Sequence, residues 1–126
     1  MKTIIIIDNN VDSLTVFKLL LTAQGYKVDC FSNWKKALNN ISKIDPSLIL
    51  IEVFLDTADG RNITKQLRSS EITKYYPVIL TSNNKKSKYF VIDCGAQGFV
   101  LKPLQINSFL AKVNQVIENN LEVKGQ

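Results

Sequence analysis

The 126-residue sequence contains no histidine, two cysteines, three prolines and one tryptophan. Without imidazole there is no Ser-His-Asp or Cys-His nucleophile, no His-ligated zinc, no phosphohistidine and no histidine pH sensor. Two cysteines build neither a four-Cys metal site nor a disulfide framework. Long apolar runs are also missing. Ile4 to Ile7 and Leu48 to Ile51 are four residues each, against roughly 20 for a membrane span, and the first run is too short for a signal-peptide core. A cytoplasmic, reducing setting is therefore expected. Arginine is scarce as well: Arg61 and Arg68 are the only two, so the net charge of +5 is almost entirely lysine. Arg is the usual reader of guanine edges, which weakens the case for sequence-specific nucleic-acid binding. The remaining chemistry must come from carboxylates, hydroxyls, amides and lysine.

The apolar residues alternate between short continuous runs and helical periods. Thr3 to Ile7, Tyr26 to Phe31, Leu48 to Val53, Pro77 to Ser82 and Gln97 to Leu101 read as strands, the first and third buried on both faces. Between them, Leu14, Phe17, Leu20 and Leu21 recur at helical spacing before Gly25, and Trp34, Ala37, Leu38 and Ile41 follow a cap at Ser32. Ile63 and Leu67 mark a shorter helix. Asn83 to Lys88 reads as a polar loop leading into a helix that ends at Cys94, and Ile106 to Leu121 is a long final helix. Five strands alternating with five helices, (βα)5, predict one α/β domain over 1–122, an open parallel sheet with helices on both faces, and a frayed tail over 123–126. In such sheets functional groups gather beyond the carboxyl ends of the strands. This directs attention to Asp8, Asn9 and Asn10, then Glu52, then Ser82 and Asn83, then Lys102.

Ile-Ile-Asp8-Asn9, Pro46-Ser-Leu-Ile-Leu-Ile-Glu52, Asp59-Gly60, Pro77-Val-Ile-Leu-Thr-Ser82 and Gly95-Ala-Gln-Gly-Phe99-Val-Leu-Lys102-Pro103 together resemble the receiver domain of two-component response regulators. The resemblance spans essentially the whole chain. It implies a flavodoxin-like sheet of order 2-1-3-4-5. It also implies a pocket in which an acidic pair after strand one and an aspartate ending strand three bind Mg²⁺. That aspartate accepts a phosphoryl group, which a hydroxyl after strand four and a lysine after strand five contact. By position, Asp8 matches the first acid, Ser82 the hydroxyl, Phe99 the aromatic switch and Lys102 the lysine. Two positions depart: Asn9 replaces the second acid, and Glu52 stands at the phosphoacceptor.

Both departures oppose phosphorylation. Mg²⁺ usually relies on one or two carboxylates in near-octahedral geometry. Asn9 offers a neutral amide, which leaves Asp8 and Glu52 as weakened metal ligands. Glu52 is longer by one methylene, about 1.5 Å, and a misplacement of about 1 Å can cost about 100-fold in a positioned transfer. Phe54 supplies nothing to orient a hydrolytic water. The expectation is a pseudo-receiver, a non-enzymatic signalling module in which Glu52 pairs with Lys102, with no firm cofactor and Mg²⁺ possible but weakened. The alternative is a conventional Mg-dependent phosphoacceptor of reduced activity; a flavodoxin-like cofactor binder or a nucleic-acid-binding domain ranks lower, since no GxGxxG or Gly-rich phosphate cradle follows strand one. The implied partners are a histidine kinase, an output protein, or a second copy through the face of the fourth helix, fifth strand and fifth helix.

Structural roles stand beside these. Asp8 can cap a helix or pair with Lys102, Ser82 can bond the following turn, and Phe99 reads as core. Asp59-Gly60 reads as a turn whose Gly supplies a positive φ. Lys85, Lys86 and Lys88 form a solvated basic loop or, alternatively, a surface for an acidic partner. Cys30 and Cys94 are expected as free thiols, being too far apart across the sheet to bridge. The resemblance also allows a cis peptide at Lys102-Pro103.

Overall fold

A computed structural model describes residues 1–124. Five parallel strands, β1 (Thr3–Ile7), β2 (Lys27–Phe31), β3 (Leu48–Glu52), β4 (Val78–Ser82) and β5 (Gly98–Leu101), form one sheet of order β2-β1-β3-β4-β5. The helices are α1 (Val11–Ala23), α2 (Trp34–Ile44), α3 (Gly60–Arg68), α4 (Val91–Cys94) and α5 (Ile106–Lys124). The fourth crossover departs from the expected full helix. It is a 3₁₀ segment over Lys85–Phe90 followed by the single α turn of α4, so four helices are long and the fifth is vestigial. Helix α5 continues through Lys124, past the expected domain end at 122, and 125–126 lie outside the described residues.

Strand periodicity sorts the apolar side chains into two cores. Ile5, Ile7, Ile49, Ile51, Val78 and Leu80 face α2, α3 and α4, meeting Ala37, Ile41, Ile63, Leu67, Val91 and Cys94. Ile4, Ile6, Leu48, Leu50, Ile79 and Val100 face α1 and α5, meeting Phe17, Leu21, Phe109, Val113 and Ile117. Between Ile4 and Ile7 in β1, and between Leu48 and Ile51 in β3, both faces are buried, which explains the unbroken apolar runs. Each fully buried side chain of this size contributes about 1.5–3 kcal/mol. The two cysteines lie on opposite faces of the sheet and are free.

Local chemistry fixes where the helices begin. Asn33, rather than Ser32, caps α2, its side chain accepting from the Lys36 N–H. Asn10 caps α1 by accepting from Ser13 N–H at 2.9 Å. Asp59 caps α3 by accepting from Arg61 N–H at 2.8 Å, and its carboxylate also pairs with the Arg61 guanidinium at 2.6 Å. Gly60 is required for a different reason than the one expected. Among the described residues, positive φ in glycine occurs at Gly25 and Gly95, not at Gly60. A Cβ on Gly60 would instead lie 2.3 Å from the backbone oxygen of Glu52. The first turn of α3 thus rests directly on the end of β3.

Candidate functional site

Register brings three strand ends level. Ile7 pairs with Ile51, Ile51 with Leu80, and Glu52 with Thr81, so Asp8 and Glu52 emerge side by side on the face that carries α1 and α5. Lys102 follows β5 by one residue, and its backbone N–H donates to Ser82 O at 2.8 Å, which anchors it against β4. The Lys102–Pro103 peptide is cis.

The Lys102 ammonium lies between the carboxylates. It donates to Asp8 Oδ2 at 2.7 Å, Ser13 Oγ at 3.0 Å and Glu52 Oε1 at 3.2 Å. All three donors of the ammonium are thereby used. The Phe17 ring adds a fourth contact, its centroid 5.7 Å from Nζ. The expected Glu52–Lys102 pair is present, but Asp8 holds the lysine more closely and is the more buried partner, 2% exposed against 13% for Glu52. Ser13 is a participant that the sequence did not single out. The remaining carboxylate oxygens take backbone donors: Asp8 Oδ1 accepts from Asn10 N–H at 2.9 Å, and Glu52 Oε2 from Val53 N–H at 2.8 Å. Burial pushes the Glu52 carboxyl above the ordinary glutamate range, while the Lys102 charge and hydrogen bond pull it back in part.

Asn9 does not point at this cluster. Its Nδ2 donates to Ser32 O at 2.7 Å and its Oδ1 accepts from Asp56 N–H at 2.7 Å, stapling the β1–α1 loop to the loops after β2 and β3. Ser82 Oγ is fully buried and turned into its own loop, accepting from Asn84 N–H at 3.0 Å and from Ser87 Oγ at 3.3 Å. Phe99 packs, half-buried, against the core under α2, α3 and α4. Phe54 is half-exposed beside Arg61, with the guanidinium 6.0 Å from the ring centroid.

The donor set can be tested against a divalent ion. Asp8 and Glu52 give −2 and Lys102 returns +1, a formal pocket sum of −1. Both carboxylates already hold the ammonium, and the Asn9 oxygen is engaged by Asp56. Among the described residues, no group of three or more His, Cys, Asp or Glu could hold a metal. A small ion demanding six oxygens at about 2.0–2.1 Å does not fit this arrangement.

Residues 4–114 match the response regulator receiver domain family. The chain belongs to that family. This receiver is 26% identical to the alkaline phosphatase synthesis transcriptional regulatory protein PhoP of Bacillus subtilis over 121 residues, covering 94% of this chain and 50% of that protein. It therefore spans about half the length of that relative. The polar-differentiation response regulator DivK of Brucella anthropi is 24% identical, with 92% of this chain and 96% of DivK covered. Among solved structures, a putative response regulator from Chloroflexus aurantiacus superposes with a TM-score of 0.86 at 24% identity, covering 93% of this chain and 98% of that one. That superposition shows a shared fold. Among the described residues, no helix is long and apolar enough to cross a membrane.

Proposed function

We propose that this receiver is a signalling module whose pocket works without phosphorylation of an acceptor carboxylate. The observation that carries this reading is the Lys102 ammonium held at once by Asp8 and by Glu52, the residue at the phosphoacceptor position. Phosphoryl transfer is mostly positioning plus charge stabilisation. Here the carboxylate is about 1.5 Å longer than an aspartate would be, one of its oxygens is bound to Val53 N–H and the other to Lys102. The hydroxyl of Ser82 is bonded within its own loop instead of facing Glu52. The carboxylate–ammonium contact supplies in permanent form the tie between β3 and β5 that a phosphoryl group would otherwise make.

The output is then a constitutive surface, read by a histidine kinase, by an output protein, or by a second copy through the face of α4, β5 and α5. Leu101 and Ile106 are exposed at that face or its margin. The roles carried by position are Asp8 and Asn9 at the acidic pair, Glu52 at the phosphoacceptor position, Lys102 as the pocket's cation, and Ser82 and Phe99 at the switch positions; the Asn9 amide works instead as a loop staple. Incubation with acetyl phosphate and Mg²⁺ followed by intact mass tests the reading. The expected result is unmodified protein. One added phosphoryl group, absent from Glu52→Gln, would establish the conventional phosphoacceptor instead.

A further inference from the structure

Helix α1 and the residues that follow β5 leave a groove of about 520 Å³ between them. Its walls are apolar: Val16, Leu19 and Leu20 from α1 face Pro103, Leu104 and Ile106. Leu20 and Leu104 pack against the core beneath, whereas Val16, Leu19 and Ile106 are exposed, Leu19 by 69% and Ile106 by 53%. Scattered exposed apolar side chains are ordinary, but several gathered around one concavity mark a binding surface. Small-molecule sites are concave, mostly apolar and roughly 300–1,000 Å³ in volume, with a few polar groups that fix orientation. The polar groups here are Asp12, Ser13 and Lys102. The three donors of the Lys102 ammonium are spent on Asp8, Ser13 and Glu52, so none is left for an anion. Asp12, in the first turn of α1, is exposed, and its carboxylate has no hydrogen bond or ion pair among the described residues. With Asp8 and Glu52 behind it, this corner carries three carboxylates against one ammonium, a formal −2, in a chain whose net charge is +5.

We propose that the groove binds a small amphiphile with a hydrocarbon or aromatic body and a protonated amine. The body lies between α1 and Ile106, and the amine meets Asp12. The floor carries binding inward. Phe17 lines the groove with its ring centroid 5.7 Å from Lys102 Nζ, and Ser13 and Lys102 belong both to the groove and to the carboxylate cluster. Occupancy therefore acts on the Lys102 tie between β3 and β5. The groove itself rests on geometry and charge. Its role as an input rests on the phosphorylation-independent reading, in which the ligand takes the place of a phosphoryl signal.

The probes n-octylammonium and n-octanoate share a hydrocarbon body and differ in charge, so comparing them isolates Asp12. Each is titrated into the ¹⁵N-labelled chain at constant ionic strength and below micelle formation, and the amide signals are followed. Octylammonium is expected to give saturable shifts at Val16, Leu19, Leu104 and Ile106, and to bind about threefold tighter than octanoate, as an exposed ion pair allows. The net charge of the chain favours the anion at any nonspecific site, so this preference reports the groove. Asp12→Asn should abolish the preference, and Ile106→Gln should weaken both probes alike; both positions are exposed, so the variants keep the fold. The signals of Glu52 and Lys102 are expected to move with the same Kd as those of the groove. No saturable shift at the groove residues overturns the proposal. Octanoate bound as tightly as octylammonium, or a preference that survives in Asp12→Asn, overturns it as well. Glu52 and Lys102 signals that stay still while the groove saturates overturn its role as an input. The two readings fail separately: a phosphoryl adduct on Glu52 would refute phosphorylation independence and leave the groove intact, whereas absent octylammonium binding refutes the groove alone.

Discussion

Replacing Lys102 by Met removes the ammonium while keeping much of the side chain's apolar length, so the change in stability reports mainly the charge. The Asp8 carboxylate, 2% exposed, then keeps one hydrogen bond, from Asn10 N–H. Glu52 keeps the one from Val53 N–H, and the two acids lose the cation between them. Breaking a buried pair by deleting one partner costs about 3–5 kcal/mol, because the other charge stays buried. The lower end applies here, since Glu52 is 13% exposed and can relieve the repulsion by taking a proton. With a urea m-value of about 2 kcal/mol/M for a domain of this size, a loss of about 3 kcal/mol lowers the midpoint by about 1.5 M. The assay is urea unfolding near neutral pH, in low salt and without divalent ions. The double variant Lys102→Met/Glu52→Gln removes one of the two unpaired acids and should recover about 1 kcal/mol or more of the loss. A single-variant loss below about 0.5 kcal/mol, the range of exposed ion pairs, would refute the view that this ammonium organises the pocket. A double variant no better than the single one would show that the acids do not interact through it.

Glu52→Gln isolates the effect of burial on that carboxyl. A carboxyl raised in the folded state holds its proton longer there than in the unfolded chain, so the Glu52 contribution to stability increases as pH falls through the raised pKa and is complete below the ordinary glutamate range. The unfolding free energy of the unaltered protein minus that of Glu52→Gln should therefore grow as pH falls through the raised pKa to the ordinary glutamate range; shrinkage would mean that Lys102 outweighs burial. Gly60→Ala drives a Cβ to 2.3 Å from the Glu52 carbonyl oxygen, backbone against backbone, and should cost about 2–3 kcal/mol in denaturant unfolding. A loss below about 0.5 kcal/mol would mean that α3 moves away from β3 freely. Thr81 is 1% exposed, and its hydroxyl has no hydrogen-bond partner among the described residues. The isosteric Thr81→Val should be neutral or stabilising by up to about 1 kcal/mol, and a loss of that size would reveal a bond to the hydroxyl.

Much of the fold is legible in the sequence because its signal is continuous. β1 is found at Thr3–Ile7 as expected, and the other strands lie within one residue of their expected bounds; the runs Ile4–Ile7 and Leu48–Ile51 are unbroken because both of their faces are buried. The fourth crossover is less legible. Its 3₁₀ segment is rich in lysine, its buried Ser87 serves Ser82, and Gly95 at φ 90° stops the chain after one α turn. Caps and glycines were legible in kind but not in detail. Ser32 and Asn33 are both good capping residues, and only backbone direction selects Asn33. Gly60 in an Asp-Gly pair suggests a turn, whereas its constraint is the backbone oxygen of Glu52, brought close by the bridge between Phe54 and Asp59. In the pocket, strand ends identify Asp8, Glu52 and Lys102, because parallel register places them together. Which acid holds the lysine more closely is decided by side-chain reach in three dimensions, and so is the share taken by Ser13. The two duties of the Asn9 amide, to Ser32 and Asp56, likewise depend on loops that no spacing rule connects.

The most direct test of the central claim pairs this receiver with its own back-substituted form. The unaltered chain and the double variant Asn9→Asp/Glu52→Asp are incubated with acetyl phosphate and Mg²⁺, and their intact masses are compared. Restoring the second acid raises the pocket's negative charge by one, and shortening Glu52 retracts its carboxylate from Lys102 by about 1.5 Å. The account predicts a phosphoryl adduct on the double variant and none on the unaltered protein. An adduct on the unaltered protein, lost when Glu52 is replaced by Gln, would contradict it.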